Sequence, residues 1–435
     1  MPPPRPQPGR APSVTLPLRY MVAAAAAFAL AALGVPWLAG DLAGHYYQPR
    51  VVALTHTITL GWITLTIMGA GFQLVPIVLE RPVWSERAGR WQFLLLVPGI
   101  VGLVAHFYIG RRSGMLWAVG LIALGTIAYL VNMGLTLRGV SRRTFTADLM
   151  ILAFAGLALT MVFGLALAVD RVVPFLPGSF FPALHAHFHL ALLAWVMPMV
   201  IGVAARVYPM FLLAREPAGW PGRLQRWGLV LGVPAVVLGL LLAPPLVAPG
   251  AVVVSLVAAG HATWVLGMVR SRKRPALDWG LRFALTGTGF LVAATVMGLG
   301  FALDLLAGPH AGLAYAVLAL GGWVSLTIVG MMLKIVPFLV WYRVYAPLAG
   351  RAAVPTLAQI SWPAAEGVAY ALLVPGMAGL ALAVARGEAA WIRAAGLLLA
   401  PGALAFAAVL GRVLTHLWGA ARPAASPAAR GVTVR

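Results

Sequence analysis

The sequence has no cysteine and little acidity: 435 residues carry 10 Asp plus Glu against 31 Lys plus Arg. The first absence excludes disulfides, thiolate-bound zinc and copper, iron–sulfur clusters and covalently attached c-type haem. Any metal held by this chain depends on His, Met, carboxylate or backbone ligands. The second leaves a formal net charge of +21. Charged residues make up only 9% of the chain and hydrophobic ones 62%, whereas a water-soluble fold has about a quarter charged. A soluble globule is therefore excluded. No Ser/His/Asp constellation, phosphate loop, zinc-protease motif or dinucleotide fingerprint stands at a credible position.

What is present is a series of long apolar runs. Twelve are long enough to cross a bilayer: 20–39, 51–79, 91–109, 115–137, 149–169, 184–213, 227–243, 251–269, 281–303, 312–340, 361–385 and 394–410. The expected fold is all-α and integral to the membrane. A single twelve-helix domain over residues 19–420 lies between proline-rich and basic tails, 1–18 and 421–435, both expected to be cytoplasmic. With the N-terminus inside, 22 of the 31 cations fall in tails and inner loops, six in outer loops and three (Arg206, Lys334, Arg412) within spans. That bias predicts a bacterial-type inner membrane, with the lipid bilayer rather than nucleic acid as the partner of the basic residues.

Setting Pro76, Pro209 and Pro337 in register aligns three segments that begin at His56, His189 and Val317. Trp62, Trp195 and Trp323 then coincide, as do Gly69, Gly202 and Gly330. Leu60–Leu79 and Gly321–Val340 are identical at eight of twenty ungapped positions. The aligned segments are the second, sixth and tenth spans, so the chain reads as three four-helix repeats, roughly 19–147, 148–279 and 280–420.

Twelve spans in three four-helix arcs, with histidines near the outer ends of the second and sixth, resemble the catalytic subunit (subunit I) of the haem–copper oxidase superfamily. The resemblance implies haem-based redox chemistry or the binding of a diatomic gas, with quinol or a periplasmic carrier as electron donor and further membrane subunits as partners. His56 matches the family's low-spin haem ligand on the second helix. The seventh and tenth spans contain no histidine, so the usual copper site and the tenth-helix haem ligands are missing. The resemblance is thus to a divergent member with incomplete metal ligands, and standard proton-pumping oxygen reduction is not expected.

The remaining candidates come from the run His185, His187 and His189. On an α-helix, residues 185 and 189 share a face and 187 points about 160° away. His56 and His189 occupy equivalent repeat positions and point in the same rotational sense, so His187 is the residue that would face His56. The expectation is a b-type haem with His56 and His187 as axial ligands, Trp62 and Trp195 packing against it, and His185 with His189 addressing the neighbouring space, where copper or a second haem would sit. Structural remnants without metal, a non-enzymatic haem or copper handling protein, and a transporter on the repeat axis are the other readings. Gln73, Arg206 and Lys334 share one repeat position close to the inner surface, where each would snorkel to the headgroups or the three would together ring the inner mouth. Glu366 and Asp304 are the carboxylates of interest, and His261 near mid-membrane is read as a polar contact.

Overall fold

The computed structural model of the chain describes residues 14–79, 81–111, 114–138, 144–214, 219–273 and 276–419. Twelve of its helices are long and apolar enough to span a bilayer: α1 (Thr15–Trp37), α2 (Pro49–Ile77), α3 (Glu86–Ile109), α4 (Met115–Leu137), α5 (Phe145–Asp170), α6 (Phe180–Leu212), α7 (Trp220–Leu241), α8 (Pro244–Arg270), α9 (Trp279–Ala302), α10 (Pro309–Val344), α11 (Pro363–Arg386) and α12 (Ala389–Trp418). The protein is an all-α, multi-pass membrane protein, and among the described residues the only β feature is one isolated bridge, Ala349 to Ala352. "Inner" denotes the side on which α1 begins, following the cation bias.

The helices match the predicted spans in number and order but run further at polar ends. α7 begins at Trp220 rather than at residue 227, and α12 reaches Trp418 rather than residue 410. Arg223, Arg226 and Arg412 continue the helix while their long stems carry the charge to the headgroups, so hydropathy stops before the backbone does. α1 likewise begins at Thr15, inside the predicted tail, because Pro17 falls in the first turn, where no intrahelical N–H bond is lost. The rest of that tail, 1–13, and the tail 421–435 lie outside the described residues. Three inner helix starts are capped by side chains, Ser85 accepting from Ala88 N, Thr144 from Ala147 N and Asp278 from Leu281 N.

Helix neighbours repeat three times. In each four-helix unit the first helix packs on the second, the second on the third, and the third and fourth pair antiparallel. The fourth then packs on the first helix of the next unit: α4 on α5, α8 on α9 and α12 on α1, which closes a ring. α2, α6 and α10 meet in the middle. The recurrent glycines account for how closely the first two helices of each unit approach. A Cβ at Gly69 would lie 2.5 Å from Tyr20 Cβ, at Gly202 3.0 Å from Leu149 Cβ, and at Gly330 2.3 Å from the Gly280 carbonyl.

The tryptophans separate by role. Trp37, Trp117 and Trp391 at outer helix ends and Trp84, Trp91, Trp220, Trp227 and Trp418 at inner ones are all exposed, the two interfacial belts of a spanning bundle. Trp62, Trp195 and Trp323 are fully buried. Each of these three lies within a π segment of its central helix: Thr57–Thr64, Leu190–Val196 and Val317–Ser325. π turns concentrate at functional sites, and here they begin within one residue of the same point in all three repeats.

Candidate functional site

His56 and His189 are each the last α residue before their π segment. His56 Nδ1 is 2.9 Å from the Val52 carbonyl, and His189 Nδ1 is 2.8 Å from the His185 carbonyl. A carbonyl can only accept, so Nδ1 carries the proton in both rings and Nε2 is left with its lone pair. An imidazole held through one N–H to a backbone carbonyl, with the other nitrogen bare, is the usual second-shell arrangement of a metal-ligating histidine. The same lock occurs in two repeats at the same position.

His187 points to the other side of α6 and packs against Gly164 of α5, where an added Cβ would lie 2.9 Å from its Cε1. Its Nδ1 is buried without a well-formed hydrogen bond; the Thr160 carbonyl lies beside the ring but is not aligned to accept. His56 lies near enough to His187 to bear on its charge. Both residues are only partly buried, so each keeps some accessible surface. Phe107 of α3 stacks on His56 at 5.0 Å and 22°. Above it, Arg171 donates to Tyr47 Oη at 2.6 Å, lies 5.6 Å over the Phe107 ring, and is within electrostatic reach of His56.

The other candidates are distributed differently. His185 Nε2 is hydrogen-bonded to Tyr46 Oη at 2.9 Å; partial burial raises the Tyr46 phenol above its usual value and keeps it protonated. His185 thus faces the outer surface and does not converge with His189, which stacks on Tyr315 of α10 instead. Among the described residues, no three His, Asp or Glu side chains gather as a metal site, so copper finds no complete ligand set here. Trp62 packs into Phe28 of α1 (4.6 Å, 27°) and Phe406 of α12. Trp195 lies beside Phe154, with its Nε1 3.4 Å from Thr64 Oγ1. Both indoles are engaged with neighbouring helices, which is the packing role.

The polar residues nearer the inner side do not form one ring. Lys334 is bound to Asp278 at 2.5 Å and lies near Glu366, which accepts a short hydrogen bond from Ser361. Gln73 is buried with Oε1 unpartnered, and Arg206 is exposed. Asp304 ends α9 in left-handed backbone at φ 56°. His261 is buried with its Nδ1 unpartnered, so the expected polar contact is not made at that atom. On the axis below the π segments, α2, α6 and α10 enclose an almost wholly apolar cavity of 80 Å³, lined by Ala70, Met199, Val203, Ile328 and Met331 among others. Thr66, Tyr208 and Thr327 contribute its few polar groups.

No family model matches the chain, and no curated protein matches its sequence. Sequence reasoning on histidines alone passed over Phe107, Arg171, Tyr47, Gly164 and Tyr315. Of these, Tyr315 was within reach, since it occupies the repeat position of His187.

Proposed function

We propose that the protein is a membrane cytochrome of haem–copper oxidase type, divergent in its ligands, that holds a b-type haem between α2 and α6. The observation that carries this reading is the tautomer lock on His56, which leaves Nε2 bare on a ring within electrostatic reach of His187. Gly164 leaves room for the His187 ring. A haem there would be held by His56 and His187, and its iron would supply one-electron redox chemistry. Arg171 and Tyr47, on the outer side of His56, would take the anionic propionates through charge-assisted hydrogen bonds. Phe107 fixes the His56 ring plane. A haem in the outer half of the membrane would exchange electrons with quinol or with a carrier on that face. The cation bias supports an inner membrane with cytoplasmic termini.

The full-length protein, purified after haem-replete expression, should show a Soret band and the sharp α-band of a low-spin b-type haem on reduction. A haem-free but monodisperse protein would overturn this reading and leave a metal-free scaffold. Gly164→Ala should cut haem content several-fold without lowering the melting temperature in detergent. The added methyl displaces the His187 ring, while alanine favours the helix by about 1 kcal/mol.

A further inference from the structure

We infer that the first and second four-helix units each hold bound water within the bundle, in a polar pocket between their third and fourth helices, and that the third unit does not. In every unit those two helices pair antiparallel, and close contacts at glycine fix the register. An added Cβ at Gly125 would lie 2.6 Å from Leu96 in the first unit, at Gly232 3.1 Å from Val254 in the second, and at Gly402 2.9 Å from Leu373 in the third. Followed inward by one turn in the first and third units and two in the second, this register sets Gln92 opposite Tyr129, Gln225 opposite His261, and Ala369 opposite Phe406. None of the six is more than 1% exposed.

What each pair buries differs. Phe406 packs against Phe28 and Trp62, and Ala369 brings no polar atom, so nothing at this level of the third unit calls for water. In the other two units both helices bury a polar atom that has no hydrogen-bond partner in the protein: Gln92 Oε1 with Tyr129 Oη, and Gln225 Oε1 with His261 Nδ1. The first pair converges on α2. Gln92 Nε2 donates to Met68 Sδ at 3.3 Å, and a Cβ on Gly71, one turn further along, would lie 2.4 Å from Tyr129 Oη. Beside the second pair, the Trp264 ring stands 6.0 Å from the His261 ring, and its N–H is likewise buried and unpartnered.

A buried donor or acceptor without a partner loses its hydration and regains nothing. Apolar residues remove that cost, as the third unit shows on the same frame. Two units instead keep a polar group on each of the facing helices, and a buried water, which makes about three hydrogen bonds, satisfies such groups together. In the first pocket water would donate to Gln92 Oε1 and accept from the Tyr129 hydroxyl. In the second it would donate to Gln225 Oε1 and exchange a hydrogen bond with the His261 ring.

The test is X-ray radiolytic footprinting of the full-length protein in detergent, read by mass spectrometry, in which hydroxyl radicals formed from bound water oxidise the side chains beside it. Met68 is fully buried against the Gln92 amide, whereas Met377 of α11 is buried against Gly321. Met68 should be oxidised several-fold faster than Met377, and His261 should be labelled on the same exposure. Gln92→Leu combined with Tyr129→Phe keeps the shape and removes the polar atoms. It should bring Met68 down to the rate of Met377 and leave the exposed Trp220 labelled as before, which reports that the variant has folded. Gln225→Leu should likewise suppress labelling of His261. In the wild type, Met68 no faster than Met377 overturns the first pocket, and an unlabelled His261 overturns the second, so the outcome does not depend on recovering either variant. A folded double variant in which Met68 is still oxidised at the wild-type rate overturns the first pocket as well. Phe406 labelled as fast as Tyr129 overturns the distinction of the third unit.

Discussion

His56→Ala is expected to lower low-spin haem content about tenfold or more while leaving a monodisperse protein, and millimolar imidazole should restore much of it. The reasoning separates two roles that one ring could have. If His56 served only to bond the Val52 carbonyl, its loss would remove one local side-chain hydrogen bond, worth about 1 kcal/mol, and would move no visible absorption. If Nε2 ligates iron, its loss removes a bond that no neighbour replaces, and even outer-shell changes at metal sites cost about 10–100-fold. The vacated space has the shape of an imidazole, bounded on one side by Phe107, so an exogenous ring can enter it. His187→Ala should behave in the same way, and a spectrum unchanged in both variants would sink the axial pair. The readouts are the Soret amplitude and the reduced α-band, each measured per mole of protein.

The second large effect concerns the glycines that bring the first two helices of each unit together. Alanine at Gly330 meets the Gly280 carbonyl oxygen at 2.3 Å, backbone against side chain, with nothing able to rotate away. At Gly69 the obstacle is Tyr20 Cβ at 2.5 Å; at Gly202 it is Leu149 Cβ at 3.0 Å. Overpacking in a close-packed interior costs about 1–3 kcal/mol, and more where backbone must move. The expected order of damage is therefore Gly330→Ala, then Gly69→Ala, then Gly202→Ala. Melting temperature and folded yield in detergent would measure it. Gly202→Ala should stay close to wild type and Gly330→Ala should give little folded protein. A flat series would mean that the three repeats do not share the tight crossing their common glycine suggests.

How far the sequence discloses this structure depends on which signal is asked for. The twelve helices were legible because long apolar runs have almost one solution in a bilayer, where the backbone must satisfy itself. Their ends were less so, since Arg223 and Arg226 look like loop residues and act as helix residues. The π segments had no visible signature, because a widened turn needs no special residue and arises from packing. The first repeat was found on the central helices, yet another lay unread. Leu95–Leu103 and Leu372–Leu380 agree at seven of nine positions. Within them Gly99 and Gly376 each face the fourth helix of their own unit, where a Cβ would meet the Ala118 carbonyl at 2.9 Å or Leu399 Cδ2 at 2.8 Å. At the site, histidine content and helix periodicity singled out His56, His187 and His189 as candidates. The tie of His185 to Tyr46 depends on a loop no periodicity describes. Histidine content was silent on Tyr315, which becomes visible once position 187 is read down all three repeats.

The packing of α12 on α1 has a topological consequence. In a ring of three like arcs no helix is an edge, and the point at which the chain is cut is a property of the gene rather than of the fold. α1 begins and α12 ends on the same face, so joining those ends and reopening the chain before α5 or before α9 would give three linear orders with one set of neighbours. Whatever distinguishes the arcs then resides in single side chains on a common frame, as where the second and sixth helices carry His56 and His189 and the tenth carries Val317.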